Sequence, residues 1–166
     1  MSYYNAIAKS YDRLYAEEQY EKLEEIVTFL KVKKTDRLLD IGCGTGLSAR
    51  FFTGHVIGID PAFEMVKQAD FPVVCGAAEE LPFQSEMFDV VVCVSAIHNF
   101  DDHSKALREM KRVLKKKGIG AITLLKKARQ YKTIRKDIET FFLGKWVEGK
   151  KDDCFIGMKK KEYTTK

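Results

Sequence analysis

The chain has 166 residues, of which 45% are hydrophobic and 32% are charged, and its formal net charge is +5. These proportions are those of a globular protein and exclude a disordered chain, which has too few apolar residues to form a core. The length predicts one domain over residues 1–166, and no apolar run approaches the roughly 20 residues of a membrane span, so we expect no membrane segment.

Helical and extended segments alternate along the chain. Apolar residues at helical spacing predict amphipathic helices over 23–30, 107–114 and 131–141. Short β-rich runs predict strands over 37–41, 56–60, 72–75, 88–95 and 119–125. Several of these strands are apolar throughout, which is typical of parallel strands covered by helices on both faces. The pattern predicts an α/β fold with a doubly wound, mostly parallel Rossmann-like sheet.

The C-terminal part of the chain follows a different pattern. Two further β-rich runs, at 145–149 and 154–159, are separated by the polar residues Lys150-Lys151-Asp152-Asp153, a length typical of a hairpin turn. We therefore expect an antiparallel C-terminal hairpin that completes a seven-stranded sheet.

The cysteines and the N-terminus indicate the compartment. Cys43, Cys75, Cys93 and Cys154 are far apart and form no C-x-x-C pair, so we expect buried apolar side chains and no metal site. The first residues show neither the basic segment nor the apolar core of a secretory signal. The sequence therefore predicts a cytoplasmic protein.

The most informative segment is a glycine-rich turn after the first strand. Gly42, Gly44 and Gly46 follow the apolar run Leu38-Leu39-Asp40-Ile41, and we expect a helix after the turn. Glycines allow the backbone to turn tightly and to approach a ligand closely. Eighteen residues beyond Gly42 the second strand ends at Asp60, where a carboxylate accepts hydrogen bonds from a ribose diol. The spacing G-x-G-x-G differs from the G-x-G-x-x-G of dinucleotide-binding proteins.

Further segments extend this motif into a family pattern. In chain order they are Gly58-Ile59-Asp60-Pro61 followed by Met65, Gly76-Ala77-Ala78-Glu79-Glu80-Leu81-Pro82-Phe83, Phe88-Asp89-Val90-Val91, and Ala106-Leu107-Arg108-Glu109-Met110-Lys111-Arg112-Val113-Leu114. With the glycine turn, they resemble the class I S-adenosylmethionine-dependent methyltransferases, in particular the branch that includes the ubiquinone/menaquinone biosynthesis methyltransferases. The resemblance covers nearly the whole chain. It implies methyl transfer from S-adenosylmethionine by in-line displacement.

The resemblance also implies roles for individual residues at the glycine turn. Asp40 and the turn residues would border the methionine part of the cofactor, and Asp60 would hold both ribose hydroxyls. Pro61 and Met65 would lie near the adenine. The turn residues meant here are Gly42, Cys43, Gly44 and Gly46.

Other implied roles lie farther along the chain and at its beginning. The backbone around Ala78 and Glu79 would meet the adenine edge, and Ser95 would line the methyl-transfer pocket. Tyr11 matches a family Tyr-Asp pair that covers the cofactor, within a helical flap over residues 1–20. Ala77 stands where the family usually has an Asp that bonds the adenine amino group, so adenine recognition is expected to rest on backbone atoms.

Methyl transfer needs alignment more than it needs catalytic side chains, because the leaving group is already in place. His98, just past the fourth strand, is nevertheless a candidate general base for a hydroxyl or amine acceptor. Two alternatives stay open. The histidine that relatives often carry in this loop orients the substrate, or His98 is a loop residue with a local hydrogen bond.

Charge is distributed unevenly along the chain. Residues 1–110 have a net charge of −7 and residues 111–166 a net charge of +12. Six basic residues follow the fifth strand at the edge where ligands bind in open α/β sheets: Lys126, Lys127, Arg129, Lys132, Arg135 and Lys136. A basic mouth favours an anionic small-molecule acceptor. RNA or protein substrates, with a partner subunit, and a catalytically silent cofactor-binding module remain as alternatives.

Overall fold

The structure is a computed structural model that describes residues 2–161, without the side chains of residues 2, 9, 11, 12, 14 and 18. The seven strands of its sheet are β1 (Arg37–Ile41), β2 (His55–Asp60), β3 (Val73–Cys75), β4 (Phe88–Cys93), β5 (Leu114–Leu125), β6 (Phe142–Glu148) and β7 (Asp152–Lys159). They lie in the order β3-β2-β1-β4-β5-β7-β6. Strands β1 to β5 are parallel, and β7 is antiparallel to both β5 and β6. The predicted sheet and its C-terminal hairpin are confirmed.

Four helices cover the two faces of this sheet: α1 (Ser2–Phe29), α2 (Phe63–Val66), α3 (His103–Val113) and α4 (Tyr131–Phe141). The C-terminal half of α1 buries Leu23 and Ile26 against one face. Helices α3 and α4 bury Leu107 and Ile138 against the other. Neighbouring strand residues alternate between these two cores, which explains why the central strands are apolar throughout. Among the described residues, no helix is long and apolar enough to cross a membrane.

Three details of the sequence prediction are wrong. The segment after the glycine turn is a 3₁₀ turn, Leu47–Phe51, because the chain must be extended again by His55 to begin β2. Leu114 does not end α3 but begins β5, where it pairs with Phe88. Asp152 and Asp153 belong to β7 instead of the hairpin turn, and both are buried.

The cysteine prediction is confirmed at three positions and wrong at one. Cys43, Cys93 and Cys154 are buried, whereas Cys75 is exposed. The physical reason is the place of Cys75 at the end of β3, a strand of only three residues at the edge of the sheet. All four thiols are free.

Candidate functional site

A cleft lies at the carboxyl edge of the parallel strands and has three adjoining compartments that share Gly42. The central compartment, of about 120 Å³, is bordered by Gly44, Asp60 and Ser95. A compartment of about 40 Å³ continues toward Asp40, and one of about 110 Å³ continues toward Ala78. Ligands of open α/β sheets bind at this edge.

The glycine turn has a backbone that other residues adopt at a cost. Gly42 and Gly44 have φ angles of 75° and 56°, in the left-handed region that favours glycine. The turn is held by β2, because the N–H groups of Gly42 and Cys43 both donate to the carbonyl of Ile59. A Cβ atom added at Gly42 would lie 2.4 Å from the Cβ of Ala96. The cleft therefore requires a residue without a side chain at this position.

Asp60 joins the end of β2 to the glycine turn. Its Oδ2 accepts a hydrogen bond from the backbone N–H of Gly44 at 2.9 Å, and its Oδ1 accepts one from the N–H of Ala62 at 2.8 Å. A carboxylate has about four acceptor positions, so each oxygen keeps one for a ligand hydroxyl. Burial raises the pKa of Asp60, although both backbone donors lower it.

A second carboxylate, Asp40, is buried beneath the turn. Its pKa is raised to about 7, mainly by burial and to a smaller extent by the negative charge of the nearby Asp60. Ser48 Oγ donates a hydrogen bond to its Oδ2, which lowers the pKa. Two carboxylates close to one glycine turn make this part of the cleft complementary to a cationic ligand.

The remaining residues that the resemblance assigns to the cofactor also border the cleft. Pro61 and Met65 line the central compartment, and Ala78 and Glu79 line the compartment beyond it. Cys43 borders the compartment next to Asp40. Gly46, with φ 89°, precedes the 3₁₀ turn and borders none of the three compartments.

A carboxylate that sequence reasoning missed lies in the same compartment as Ala77. Asp101 lines the same compartment as Ala77 and Glu79. The side chain of Glu79 is engaged elsewhere, because its Oε1 accepts a hydrogen bond from the N–H of Asp102 at the start of α3.

Ser95 connects the cleft with a polar cluster behind it. Its φ of 53° is unusual for a residue with a side chain, and its N–H donates to Thr123 Oγ1 at 2.6 Å. Its hydroxyl donates to Asp152 Oδ2 at 2.9 Å and accepts from Lys22 Nζ at 3.0 Å. Lys22 also forms an ion pair with Asp152 Oδ2 at 3.1 Å. Sequence reasoning missed both Lys22 and Asp152, and the only available signal was a pair of acidic residues inside a β-rich segment.

His98 lies in the short 3₁₀ turn Ile97–Asn99 that follows Ser95. Its Nδ1 is buried and has no hydrogen-bond partner among the described residues. Burial lowers the pKa of His98, and Lys22 lowers it further, whereas Asp152 raises it. Burial in this turn thus disfavours the charged form of the imidazole. The local hydrogen bond of the alternative interpretation is not present at Nδ1.

Helix α1 crosses the open side of the cleft. Near its start, Tyr4 borders the central compartment and its hydroxyl accepts a hydrogen bond from Asn99 Nδ2. Asn5 Oδ1 accepts the N–H of Glu64 in α2. Ala8 packs with Ala62 and Met65. Tyr11 belongs to α1, but its side chain lies outside the part of the chain that the structure describes.

The predicted basic mouth is only partly available to a ligand. Lys126 Nζ lies 3.3 Å from Asp153 Oδ1, and Arg135 contacts both Tyr131 and Asp153. The other four members of the mouth are exposed, and they are Lys127, Arg129, Lys132 and Lys136.

No group of three or more His, Cys, Asp or Glu residues within the described part of the chain could hold a metal ion. His103 borders none of the three compartments; its Nε2 lies 3.0 Å from Asp137 Oδ2, a contact that joins α3 to α4.

Fold and cleft together define the class of protein. A seven-stranded sheet with one antiparallel strand between β5 and β6, and a glycine turn bonded to an acidic residue at the end of β2, is the Rossmann-like arrangement of class I methyltransferases. The sequence matches the family described as "Methyltransferase domain" over residues 39–122. The chain belongs to this family, and the resemblance that the sequence motifs indicated is confirmed.

Three similar proteins illustrate the relationship. YcgJ of Bacillus subtilis, described as a methyltransferase, is 37% identical over 59% of this chain and 44% of its own length. The demethylmenaquinone methyltransferase of Thermotoga maritima is 30% identical over 75% of this chain and 58% of its own length. A third similar protein is one chain of the Haloferax volcanii complex between the Trm112 methyltransferase activator and a methyltransferase. The superposition includes 94% of this chain and 97% of the Haloferax chain, with a TM-score of 0.79 and 16% sequence identity.

The two kinds of comparison carry different information. At 16% identity the Haloferax likeness shows the fold alone. This chain spans about half the length of the curated relatives it matches.

Proposed function

We propose that this chain transfers a methyl group from S-adenosylmethionine to a small acceptor that carries negative charge. The observation that supports it most is the bond between Asp60 and Gly44, which places a carboxylate and a side-chain-free turn at one cleft. When bound, S-adenosylmethionine supplies an activated methyl group on a positively charged sulfur. The task left to the protein is to align the acceptor with it.

The residues of the cleft fit this cofactor. A Cβ at Gly42 would collide with Ala96, which also borders the central compartment. The neighbouring carboxylates Asp40 and Asp60 complement a ligand with a sulfonium and an ammonium group. Asp60 would accept the ribose hydroxyls with its free acceptor positions. The turn residues would border the methionine part, and Ala78, with Pro61 and Met65, would border the adenine.

We further propose that α1 acts as the flap over the site. The compartments are each smaller than the roughly 300–1,000 Å³ of pockets that hold a ligand of this size. Helix α1 covers the cleft at two points far apart along the helix: Tyr4 borders the central compartment, and Gln19 and Leu23 border the compartment next to Asp40. Outward movement of α1 would admit the cofactor, and its return would exclude water. A closed cleft favours a small acceptor.

The negative charge of the acceptor is inferred from the mouth of the cleft. Lys127, Arg129 and Lys132 are exposed just beyond β5, at the edge of the sheet that holds the cleft. Cations at such a mouth raise the local concentration of anions.

Incubation with methyl-tritiated S-adenosylmethionine and a size-fractionated extract of the source organism tests this proposal. The expected result is label in small molecules that anion-exchange resin retains. Label in neutral small molecules alone would contradict the charge assignment, and label in protein would contradict the assignment of a small acceptor.

One observation favours RNA as a second candidate acceptor. A groove of about 740 Å³ at the opposite edge of the sheet is lined by Arg108, Lys111, Lys116, Lys160 and Lys161, with Phe141 on its wall. Cations that follow a phosphate backbone and an aromatic ring on which a base stacks are typical of single-stranded nucleic acid sites. Label in the RNA fraction, together with RNA binding that weakens steeply with salt, is the result expected for this candidate.

A further inference from the structure

A polar cluster of Lys22, Ser95 and Asp152 lies behind the cleft. Three elements bring it together: Lys22 comes from α1, Ser95 follows β4, and Asp152 begins β7. The side chains of Lys22 and Asp152 are only 14% and 3% exposed. Such groups are costly to bury unless all their polar atoms are paired.

The two oxygens of Asp152 have different surroundings. Ser95 Oγ and Lys22 Nζ both approach Oδ2, at 2.9 and 3.1 Å. Oδ1 is buried and has no hydrogen-bond partner among the residues that the structure describes. Nδ1 of His98, three residues after Ser95, is also buried without a partner among the described residues. Unpaired buried polar atoms are rare in folded proteins and call for a ligand or a functional reason.

The cluster adjoins the cleft through Ser95. This residue lines the central compartment, and its hydroxyl contacts Asp152 directly. Ser95 therefore touches both the compartment proposed for the cofactor and the carboxylate of Asp152. Helix α1, which carries Lys22, covers the cluster, so the same outward movement that admits a cofactor would open this side of the cleft.

We propose that Asp152 and His98 bind the methyl acceptor through a hydrogen on its nucleophilic atom, so that the acceptor is a hydroxyl or an amine. Asp152 Oδ1 accepts this hydrogen, and the unpaired Nδ1 of His98 offers a second polar contact to the acceptor. Lys22 and Ser95 hold Oδ2, which leaves Oδ1 as the oxygen directed to the acceptor. This inference rests on the proposed methyltransferase function and names its acceptor class.

The step balances without a further reagent. A lone pair of the acceptor's oxygen or nitrogen forms the new bond to the methyl carbon, and the carbon–sulfur bond breaks with its electron pair remaining on sulfur. The proton of the acceptor passes to the carboxylate of Asp152 and from there to water when α1 opens.

The variant Asp152→Asn tests the assignment because its amide has a forced orientation. Two donors, Lys22 and Ser95, face the position of Oδ2, so the amide oxygen must lie there. The NH₂ group then takes the position of Oδ1, and an acceptor atom becomes a donor without a change in shape. Asp153→Asn is the matched control, since Asp153 is equally buried on the same strand but contacts Tyr131 and Lys126.

The probes are two pairs that differ in a hydroxyl against a fluorine: 4-hydroxybenzoate with 4-fluorobenzoate, and phenol with fluorobenzene. Calorimetry on protein saturated with S-adenosylhomocysteine measures their affinities. In the wild type and in Asp153→Asn, we expect the affinity of each hydroxyl probe to exceed that of its fluorine partner by about tenfold or more. A hydrogen bond to a charged group contributes a difference of this size. In Asp152→Asn the preference disappears or reverses, and His98→Phe reduces it.

Three results would overturn the inference: equal binding within each pair in the wild type, no measurable binding of either hydroxyl probe, or a preference that survives in Asp152→Asn. Thermal unfolding of each variant checks that it folds, and His98→Phe provides a readout should Asp152→Asn not fold. Titration with S-adenosylhomocysteine alone separates this inference from the proposed function. Loss of that binding in the wild type would contradict the function, whereas normal binding with no probe preference would contradict only the acceptor class.

Discussion

Asp60 accepts a hydrogen bond from the backbone N–H of Gly44, so the end of β2 holds the glycine turn that follows β1. The carboxylate proposed to bind the ribose is thus also a structural part of the turn. A ligand would meet a site whose two halves are already joined, which lowers the cost of ordering them on binding.

Replacement of Asp60 separates these two contributions. Asp60→Ala removes the ribose acceptor and the partner of Gly44 together, so we expect S-adenosylmethionine to bind about 2 kcal/mol more weakly, or worse. Asp60→Asn retains one acceptor oxygen and should lose less. Isothermal titration calorimetry measures both. The exposed Asp70, which contacts Arg50 at 3.5 Å, is the control, and Asp70→Ala should leave affinity unchanged. Unchanged affinity in Asp60→Ala would refute the ribose assignment.

Gly42 is expected to tolerate no side chain. Gly42→Ala combines a φ of 75° with a Cβ 2.4 Å from that of Ala96, so S-adenosylmethionine binding should be abolished and the melting temperature lowered. Adding Ala96→Gly removes the clash but not the backbone strain, so it should restore part of the stability. Gly120→Ala in β5 meets nothing nearer than 3.7 Å and is the control. Full binding by Gly42→Ala would show that the turn does not contact the ligand.

Asp40 should make the stability of the ligand-free protein depend on pH. Its pKa of about 7 in the folded state lies above the roughly 4 of an unfolded chain, so the folded state binds the additional proton between these values. The free energy of unfolding therefore falls as pH rises from about 4 to 7, by on the order of 2–4 kcal/mol. Denaturant unfolding at pH 5 and pH 8 measures the change.

Asp40→Asn is the comparison variant for this pH dependence. The Asn side chain does not titrate in this range, so at pH 8 the variant should be more stable than the wild type. The free energy of unfolding of the variant should also vary much less with pH. Asp60, whose pKa burial also raises, leaves a smaller slope of the same sign. Parallel stability curves for the wild type and Asp40→Asn would contradict the assignment of the buried proton to Asp40.

The exposed cations of the mouth should act on the acceptor and not on the cofactor. With Lys127, Arg129 and Lys132 changed to Gln, we expect the KM of an anionic acceptor to rise roughly tenfold while the Kd of S-adenosylmethionine stays the same. Lys31, Lys33 and Lys34 lie before β1 at the opposite edge of the sheet, and the same change there is the charge-matched control. Equal effects of the two triple variants would exclude a local role for the mouth.

The sequence predicts the parallel core of the fold well because that core depends on local signals. An apolar strand such as Leu38-Leu39-Asp40-Ile41, which ends in a glycine turn, specifies both a strand position and a ligand edge. The C-terminal hairpin is also recognisable, but its turn is misplaced. Polar residues favour turns, and the burial of Asp152 and Asp153 depends on Lys22, Ser95 and Tyr131, which are remote in sequence.

The residues of the candidate site likewise fall into those that a local sequence pattern predicts and those that only the packing of distant segments brings together. Asp60 and the glycines are visible from spacing, because cofactor residues follow strand ends. Tyr4, Lys22 and Asp152 reach the site only through the packing of α1 and β7 on the sheet, and no local pattern marks them. The basic mouth shows that the sequence can also predict a site residue that the fold uses otherwise. Arg135 belongs to the predicted cluster, but in the fold it contacts Tyr131 and Asp153.

Binding of S-adenosylmethionine to the purified protein tests the central claim most directly. Calorimetric titrations with S-adenosylmethionine, S-adenosylhomocysteine and NAD should show binding of the first two at one site per chain and no binding of NAD. Because the glycine turn and Asp60 lie at one cleft, the Asp60→Ala variant should bind both S-adenosyl compounds more weakly, by about 2 kcal/mol or more. Absence of binding by either S-adenosyl compound, or binding of NAD in their place, would contradict the account.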